Sequence, residues 1–255
     1  MDLASILGIV FAFGGILGGM ILEGGHVSSL IQPTAAIIVC GGSFGAAFVQ
    51  APLEDIKFAF SCAKMAFVGG KKDNTEAIIQ ELISAAQVAR KESILALEKK
   101  LNSFSNPYMQ TIFRFVIDGV DPNTIKDIFE SEISLEQEHY NVGAKFYESI
   151  GGYSPTIGII GAVLGLIHVM QNLSDTSKLG SGIAVAFVAT IYGLVIANIF
   201  ALPMANKIKR KVGMQAHTKE MILTGALGIV SGMNPFIIEE KLRAYSHGGK
   251  KGEKH

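Results

Sequence analysis

The chain has 255 residues, of which 49% are hydrophobic and only 17% charged, and its mean hydropathy is +0.39. A soluble domain carries about 25% charged residues, so a wholly water-soluble protein is excluded. The formal net charge of zero gives no electrostatic reason to expect a nucleic-acid partner.

The first element is Leu3 to Leu22, a run with no Asp, Glu, Lys or Arg. It is long enough to cross a bilayer as a helix, which needs about 20 apolar residues. Met1-Asp2-Leu3 supplies no basic n-region and no small-residue cleavage site follows the run, so it reads as a retained span rather than a signal peptide. Gly24 to Leu53 is a second uncharged stretch, and Ser149 to Ser174 and Leu179 to Asn206 are a third and fourth. The expected division is residues 1–53 with spans one and two, 54–148 as a helical cytoplasmic domain, 149–206 with spans three and four, and 207–255 as a cytoplasmic helix and basic tail. The fold class is thus an all-α integral membrane protein with four spans.

Charge sets the orientation. The block 54–148 carries 11 basic and 15 acidic residues, and the chain after Asn206 carries 10 basic and 4 acidic. The connection Glu23–Gln32 has no Lys or Arg, and Gln171–Gly182 has only Lys178. Basic residues stay on the cytoplasmic side, which places the block, the tail and both termini in the cytoplasm.

Small residues at four-residue spacing recur in the spans, at Gly14/Gly18, Gly15/Gly19, Gly41/Gly45 and Gly161/Gly165. Such pairs let helices approach closely in lipid. In the block, apolar residues at Ile78, Ile79, Leu82, Ile83, Ala86, Val88, Ile94, Leu97 and Leu101 predict a helix over 77–101, interrupted by the polar run Arg90-Lys91-Glu92-Ser93. Asn106-Pro107 is a turn signal. Asp121-Pro122 and Asn234-Pro235 are helix starts, an Asx cap followed by Pro at the first helical position. Gly248 to His255 is expected to be disordered.

Enzyme constellations are missing. The chain has no nucleophile elbow, P-loop, Cys-x-x-Cys or His-x-x-x-His, and its six histidines are scattered. No enzymatic activity, cofactor or resident metal is expected. Cys40 and Cys62 read as lone buried thiols. His168, near the outer end of span three, is either part of a proton path or an interfacial histidine facing water. No span holds a carboxylate or a base. A chain that moves ions alone usually carries such a group at depth, so either this chain does not conduct or another chain supplies the carboxylate. Pro155 and Pro203 lie at the cytoplasmic side of spans three and four. They are hinges or routine helix ends. Thr190 and Tyr192 lie mid-span.

These residues resemble a known family. Met1-Asp2-Leu3, Ala89-Arg90-Lys91, Leu95-Ala96-Leu97-Glu98, Pro155-Thr-Ile-Gly158-Ile-Ile-Gly161-Ala-Val-Leu-Gly165, Thr190-Ile-Tyr-Gly193 and Asn234-Pro235 are similar, in this order, to the MotA and PomA stator proteins of the bacterial flagellar motor. The resemblance runs from Met1 to Tyr245. It implies a ring, thought to be five chains, around a single-span, peptidoglycan-binding MotB-like partner whose Asp binds the ion. It implies that Pro155 and Pro203 take part in a conformational step and that Thr190, with Ala162 and Tyr192 nearby, lines the ion path. Arg90, Lys91 and Glu98 would then engage a FliG-like rotor protein. Sodium-driven relatives carry Thr where this chain has Ala162 and Ala189, so a proton is the expected ion. The ExbB/TolQ type, with three spans and an external N-terminus, and a non-conducting membrane scaffold are the alternative readings.

Overall fold

The computed structural model describes residues 3–67, 74–174 and 176–247, and no strand occurs among them. In chain order, the elements are α1 (Leu3–Leu22), a 3-10 turn (Val27–Leu30), α2 (Pro33–Gln50), α3 (Leu53–Phe67), α4 (Thr75–Lys91), a 3-10 segment (Ile94–Ser103), α5 (Pro107–Ile117), α6 (Pro122–Gln171), α7 (Thr176–Val195), a π turn (Ile196–Ala201), α8 (Leu202–Val230) and α9 (Pro235–His247). Gly248 to His255 lie outside the described residues.

Among the described residues, four helical segments are long and apolar enough to cross a membrane: Leu3–Leu22, Pro33–Gln50, Pro122–Gln171 and Leu179–Val230. The last two are longer than a bilayer requires, at 50 and 52 residues. In each, the apolar half continues into a charged half without a break. Charge stops the apolar zone, but Glu, Lys and Gln are good helix formers, so the helix does not stop with it.

The caps form as their residues dictate. Asn106 Oδ1 accepts from the amides of Tyr108 (2.8 Å) and Met109 (3.4 Å). Asp121 Oδ2 accepts from Asn123 (2.9 Å) and Thr124 (3.1 Å), and Asn234 Oδ1 accepts from Phe236 (3.1 Å). In all three, proline follows as the first helical residue, where its missing N–H leaves nothing unpaired.

The helix expected over 77–101 ends at Lys91, and the chain resumes as the 3-10 segment after Ser93. The reason is phase. Ile79, Leu82, Ile83 and Ala86 face the core, and an unbroken helix would aim Ser93 at the same face. Ending at Lys91 keeps Ser93 exposed and still buries Leu97 completely.

The chain packs as two units, Met1–Gly70 with Tyr140–Arg210, and Lys71–His139 with Lys211–His255. These divisions follow shared packing, whereas the sequence boundaries follow charge, and α3 shows the difference. It is amphipathic and buries Ile56, Ala59, Cys62 and Ala66 although it lies in the charged block. Tyr147 Oη donates to Ala59 O at 2.9 Å, and a Cβ at Gly143 would come within 2.7 Å of Cys62 Sγ. Burial pushes the Cys62 thiol up. Burial, with Cys62 alongside, pushes the Tyr147 phenol up to about 12.

The second unit has its own core, in which Leu82, Leu97, Met109, Phe113, Phe129, Ile222 and Leu242 are at most 1% exposed. The Phe104 and Phe113 rings pack at a tilt of 30° with centroids 4.9 Å apart. Around this core, Lys219 pairs with Glu136 and, at 3.8 Å, with Glu132, and it sits 4.8 Å over the Tyr108 ring. Burial first, then these carboxylates and Glu220, hold the Tyr108 phenol well above its ordinary range. Phe113→Ala should cost about 3–5 kcal/mol, as for other buried aromatics. Chemical denaturation followed by helical circular dichroism checks this.

Candidate ion pathway

The centre of the membrane unit is a close seam between α6 and α7. Ser154, Gly158, Gly161 and Gly165 on one helix meet Gly193, Ala189, Ala186 and Gly182 on the other. The two rows share the spacing 4, 3, 4, which keeps each row on one helical face. The approach leaves no room. A Cβ at Gly158 would lie 2.9 Å from Ala189 O, one at Gly165 would lie 2.7 Å from Gly182 O, and one at Gly161 would lie 2.6 Å from Ala189 Cβ. Without side chains between them, the backbones supply the packing that lipid cannot provide by hydrophobic force. Ser154 is fully buried here, and its Oγ donates to Ile150 O at 2.6 Å.

α2 lies against this pair through Ala35 and Val39, which pack on Val188 and Ala189. By contrast, α1 has no buried residue, and Cβ atoms at Gly14, Gly15, Gly18 and Gly19 would meet nothing within 4 Å. Two small-residue pairs that look alike in sequence thus have different roles. Gly161/Gly165 is spent inside the chain and Gly14/Gly18 is not.

The predicted path residues lie around the seam. Thr190 is partly buried and directly follows Ala189, and its Oγ1 donates to Ala186 O at 3.3 Å. Ala162, also partly buried, directly follows Gly161. Tyr192 faces elsewhere. Its Oη donates to Leu30 O at 2.5 Å and accepts from Gln32 N at 3.3 Å, which pins the connection between α1 and α2 to the last turn of α7. Tyr192→Phe should therefore lower stability by about 1–3 kcal/mol, since it leaves those two backbone groups without their partner. Thermal unfolding of the purified protein measures the loss, and a motility defect without one would show that the hydroxyl serves the ion directly.

Pro155 lies inside α6, where proline removes the bond to the carbonyl four residues earlier, that of Gly151. Gly151 packs on Leu202, with a built Cβ 2.7 Å from the Leu202 side chain, and Leu202 adjoins Pro203. The two prolines thus flank one contact between adjacent helices. Pro203 follows the π turn Ile196–Ala201. Its ring would crowd the carbonyl of Ile199 in a regular helix, and the wider turn relieves that clash. Such turns recur at functional sites. In the sequence this turn's only signal is Pro203, three residues before the end of the fourth uncharged stretch. Asn198 lies within the turn, and its Nδ2 donates to Leu194 O at 3.0 Å.

His168 is exposed and borders a cavity of about 310 Å3 with Thr34 and Ser181. Among the described residues, no group of His, Cys, Asp and Glu could hold a metal ion.

Arg90, Lys91 and Glu98 belong to the second unit, and all three are exposed. Arg90 and Lys91 close α4, where cations suit the helix dipole, and Glu98 lies in the 3-10 segment. Buried Leu97 anchors that corner, as do two polar ties: Lys100 Nζ donates to Ser84 Oγ at 2.7 Å and Ser105 N donates to Glu81 Oε2 at 3.0 Å. Among the described residues, no ion pair joins Arg90, Lys91 or Glu98 to another group. The corner is a fixed, charged, exposed surface.

Comparison with known proteins agrees with this architecture. Residues 6–93 match the motility protein A N-terminal model and residues 98–221 match that of the MotA/TolQ/ExbB proton channel family. Motility protein A of Bacillus subtilis is 33% identical over 249 residues, covering 96% of this chain and 91% of that one. Chemotaxis protein PomA of Vibrio alginolyticus is 30% identical over 251 residues and 98% of each. The C. jejuni MotAB structure superposes with a TM-score of 0.89 at 31% identity over 96% of both chains. The flagellar MotAB stator complex of Bacillus subtilis superposes with a TM-score of 0.87 at 32% identity over 95% of both. The all-helical fold, the four apolar segments and the likeness along nearly the whole chain agree, and this multi-pass membrane protein belongs to the MotA/TolQ/ExbB proton channel family, on its motility protein A branch.

Proposed function

We propose that the chain is a flagellar motor stator subunit that forms an ion channel with a single-span, MotB-type partner and turns ion flow into torque on the rotor. The observation that carries this is the charge-free seam. The four apolar segments hold no ionisable group of Asp, Glu, Lys or Arg type in their uncharged stretches, while Thr190 and two prolines gather around a tightly packed helix pair. Such a chain suits a ring that encloses a carboxylate supplied by the partner. Five copies would surround that partner in the bacterial inner membrane, with both termini and the charged unit in the cytoplasm. The chain acts by conformational coupling and carries out no covalent chemistry.

The conducted ion is a proton. A desolvated sodium ion needs several oxygen ligands, and Ala162 and Ala189 offer none. Only the Thr190 hydroxyl remains, and it already donates to Ala186 O. A proton needs only water access to the partner's carboxylate. One charge crossing 100 mV supplies about 2.3 kcal/mol, enough to bias a packed ring between two arrangements. Pro155 and Pro203, flanking the Gly151–Leu202 contact, are where it would bend.

Two measurements test this. A strain lacking the gene should regain swimming only when the chain and its single-span partner are restored together. Swimming speed should then be unchanged across sodium concentrations at a fixed proton gradient, and strict sodium dependence would overturn proton drive.

A further inference from the structure

The break between α2 and α3 opens a second candidate site. Pro52 disfavours a helical conformation for the residue before it, and Ala51 is extended (φ −119°, ψ 141°), so α2 stops and α3 starts anew at Leu53. The step leaves a cleft of about 230 Å3 against α6. Gln50 and Asp55 line it from one side, and Lys145, Phe146 and Ser149 from the other. Tyr153 Oη fixes the Gln50 wall by donating to its Oε1 at 2.8 Å. Leu53 ends the second uncharged stretch and Ser149 begins the third, so the cleft lies where the apolar zone gives way to charge. Asp55 and Lys145 are the charged residues of the lining. Among the described residues neither forms an ion pair, with the other or with any third group. The neighbouring Glu148 differs, since Lys209 neutralises it at 2.7 Å.

The cleft thus holds one unpaired charge of each sign, and an apolar path leads away from it. The Phe146 ring stacks on Phe48 with centroids 6.0 Å apart, and Phe48, Val49 and Leu53 are exposed. Contiguous exposed apolar surface rimmed by polar residues marks a membrane or partner contact. We infer that the cleft takes the headgroup of a zwitterionic aminophospholipid, its phosphate at Lys145 and its ammonium at Asp55, with an acyl chain along Phe48 and Val49. Both contacts are charge-assisted hydrogen bonds. An anionic lipid would bring the phosphate but no cation for Asp55, and its net charge would meet that carboxylate. A choline head carries a cation with no N–H to donate. A water-soluble headgroup alone would leave the apolar path empty. Such binding requires a membrane-embedded chain but not rotor coupling, so it is read without motility.

The full-length chain, purified with its partner in detergent, is titrated with phosphatidylethanolamine, phosphatidylglycerol, phosphatidylcholine or glycerophosphoethanolamine while its thermal unfolding midpoint is followed. Phosphatidylethanolamine should raise the midpoint saturably, because a ligand that binds only the folded state stabilises it. Its apparent affinity should exceed that of phosphatidylglycerol about fivefold, the upper range for one exposed ion pair. Phosphatidylcholine should also bind less tightly, and glycerophosphoethanolamine should give no shift. Asp55→Asn should abolish the preference for phosphatidylethanolamine over phosphatidylglycerol, and Lys145→Gln should weaken both about fivefold. Asp55 is partly and Lys145 fully exposed, so neither change should move the lipid-free midpoint. Phosphatidylglycerol or phosphatidylcholine binding as tightly as phosphatidylethanolamine, a shift from glycerophosphoethanolamine alone, or a preference that Asp55→Asn leaves unchanged would overturn the inference. So would a cross-link to another protein chain from a photoreactive benzoylphenylalanine in place of Leu53, which would make the cleft an interface between chains.

Discussion

Gly158→Val and Gly165→Val should each abolish motility, and the matching change Gly14→Val should not. In the seam, the atoms nearest an added Cβ are backbone: Ala189 O at 2.9 Å for Gly158, and Gly182 O and Ala186 N at 2.7 and 2.8 Å for Gly165. A flexible side chain could swing aside, but a packed helix backbone cannot, so α6 and α7 must separate. Overpacking of this kind costs about 1–3 kcal/mol, and valine's branch adds to the added Cβ. Gly14 has nothing within 4 Å, so Val there changes only the surface of α1. Swimming in soft agar gives the functional result, and the unfolding midpoint of the purified protein shows that packing caused it. Normal swimming by Gly158→Val would remove the seam from the mechanism.

Reversing charge at the exposed corner, with Arg90→Glu and Glu98→Lys together, should eliminate torque and leave the stator assembled. Both residues are exposed, and surface substitutions of this type stay within about 0.5 kcal/mol of wild type. Membrane abundance and co-purification of the partner should therefore be unchanged. Any function at the corner must come from contact with another protein, since Leu97, Lys100 and Ser105 already fix it internally. Complementary charge steers and registers such contacts. Lys91→Glu should produce a smaller defect of the same kind. Reversed charges on the rotor protein should restore part of the torque to the double variant. Undiminished swimming would show that the corner does not meet the rotor.

The sequence made some of these features legible for clear physical reasons. The four apolar segments follow from missing charge, which lipid enforces strongly. The starts of α5, α6 and α9 follow from Asn-Pro and Asp-Pro, whose capping chemistry is local. Arg90, Lys91 and Glu98 stand out through likeness to a family, and the structure adds that the corner carrying them is rigid and exposed. Other features depend on tertiary context. Nothing in the spacing of Gly14/Gly18 and Gly161/Gly165 says which pair packs within the chain. Tyr192 and Thr190 are two residues apart in one span, yet Tyr192 holds a loop more than 160 positions away. The end of α4 at Lys91 was hidden because Ile94, Leu97 and Leu101 continue a helical period that the 3-10 segment satisfies in another way.

The π turn at Ile196–Ala201 has one more consequence. The buried small residues run Gly182, Ala186, Ala189 and Gly193, then Ala197, Ala201 and Ala205. Before the turn their spacing alternates between four and three, as 3.6 residues per turn requires. From Gly193 to Ala205 it is four throughout. The helix carries the equivalent of a surplus residue there, absorbed in the wide turn so that one face stays inward. Deleting a single residue between Ile196 and Ala201 would remove the surplus and rotate the following segment by about 100° relative to the preceding one. Chain length at this point is therefore a determinant in its own right, and an alignment of relatives should place no gap there even where the residues themselves vary.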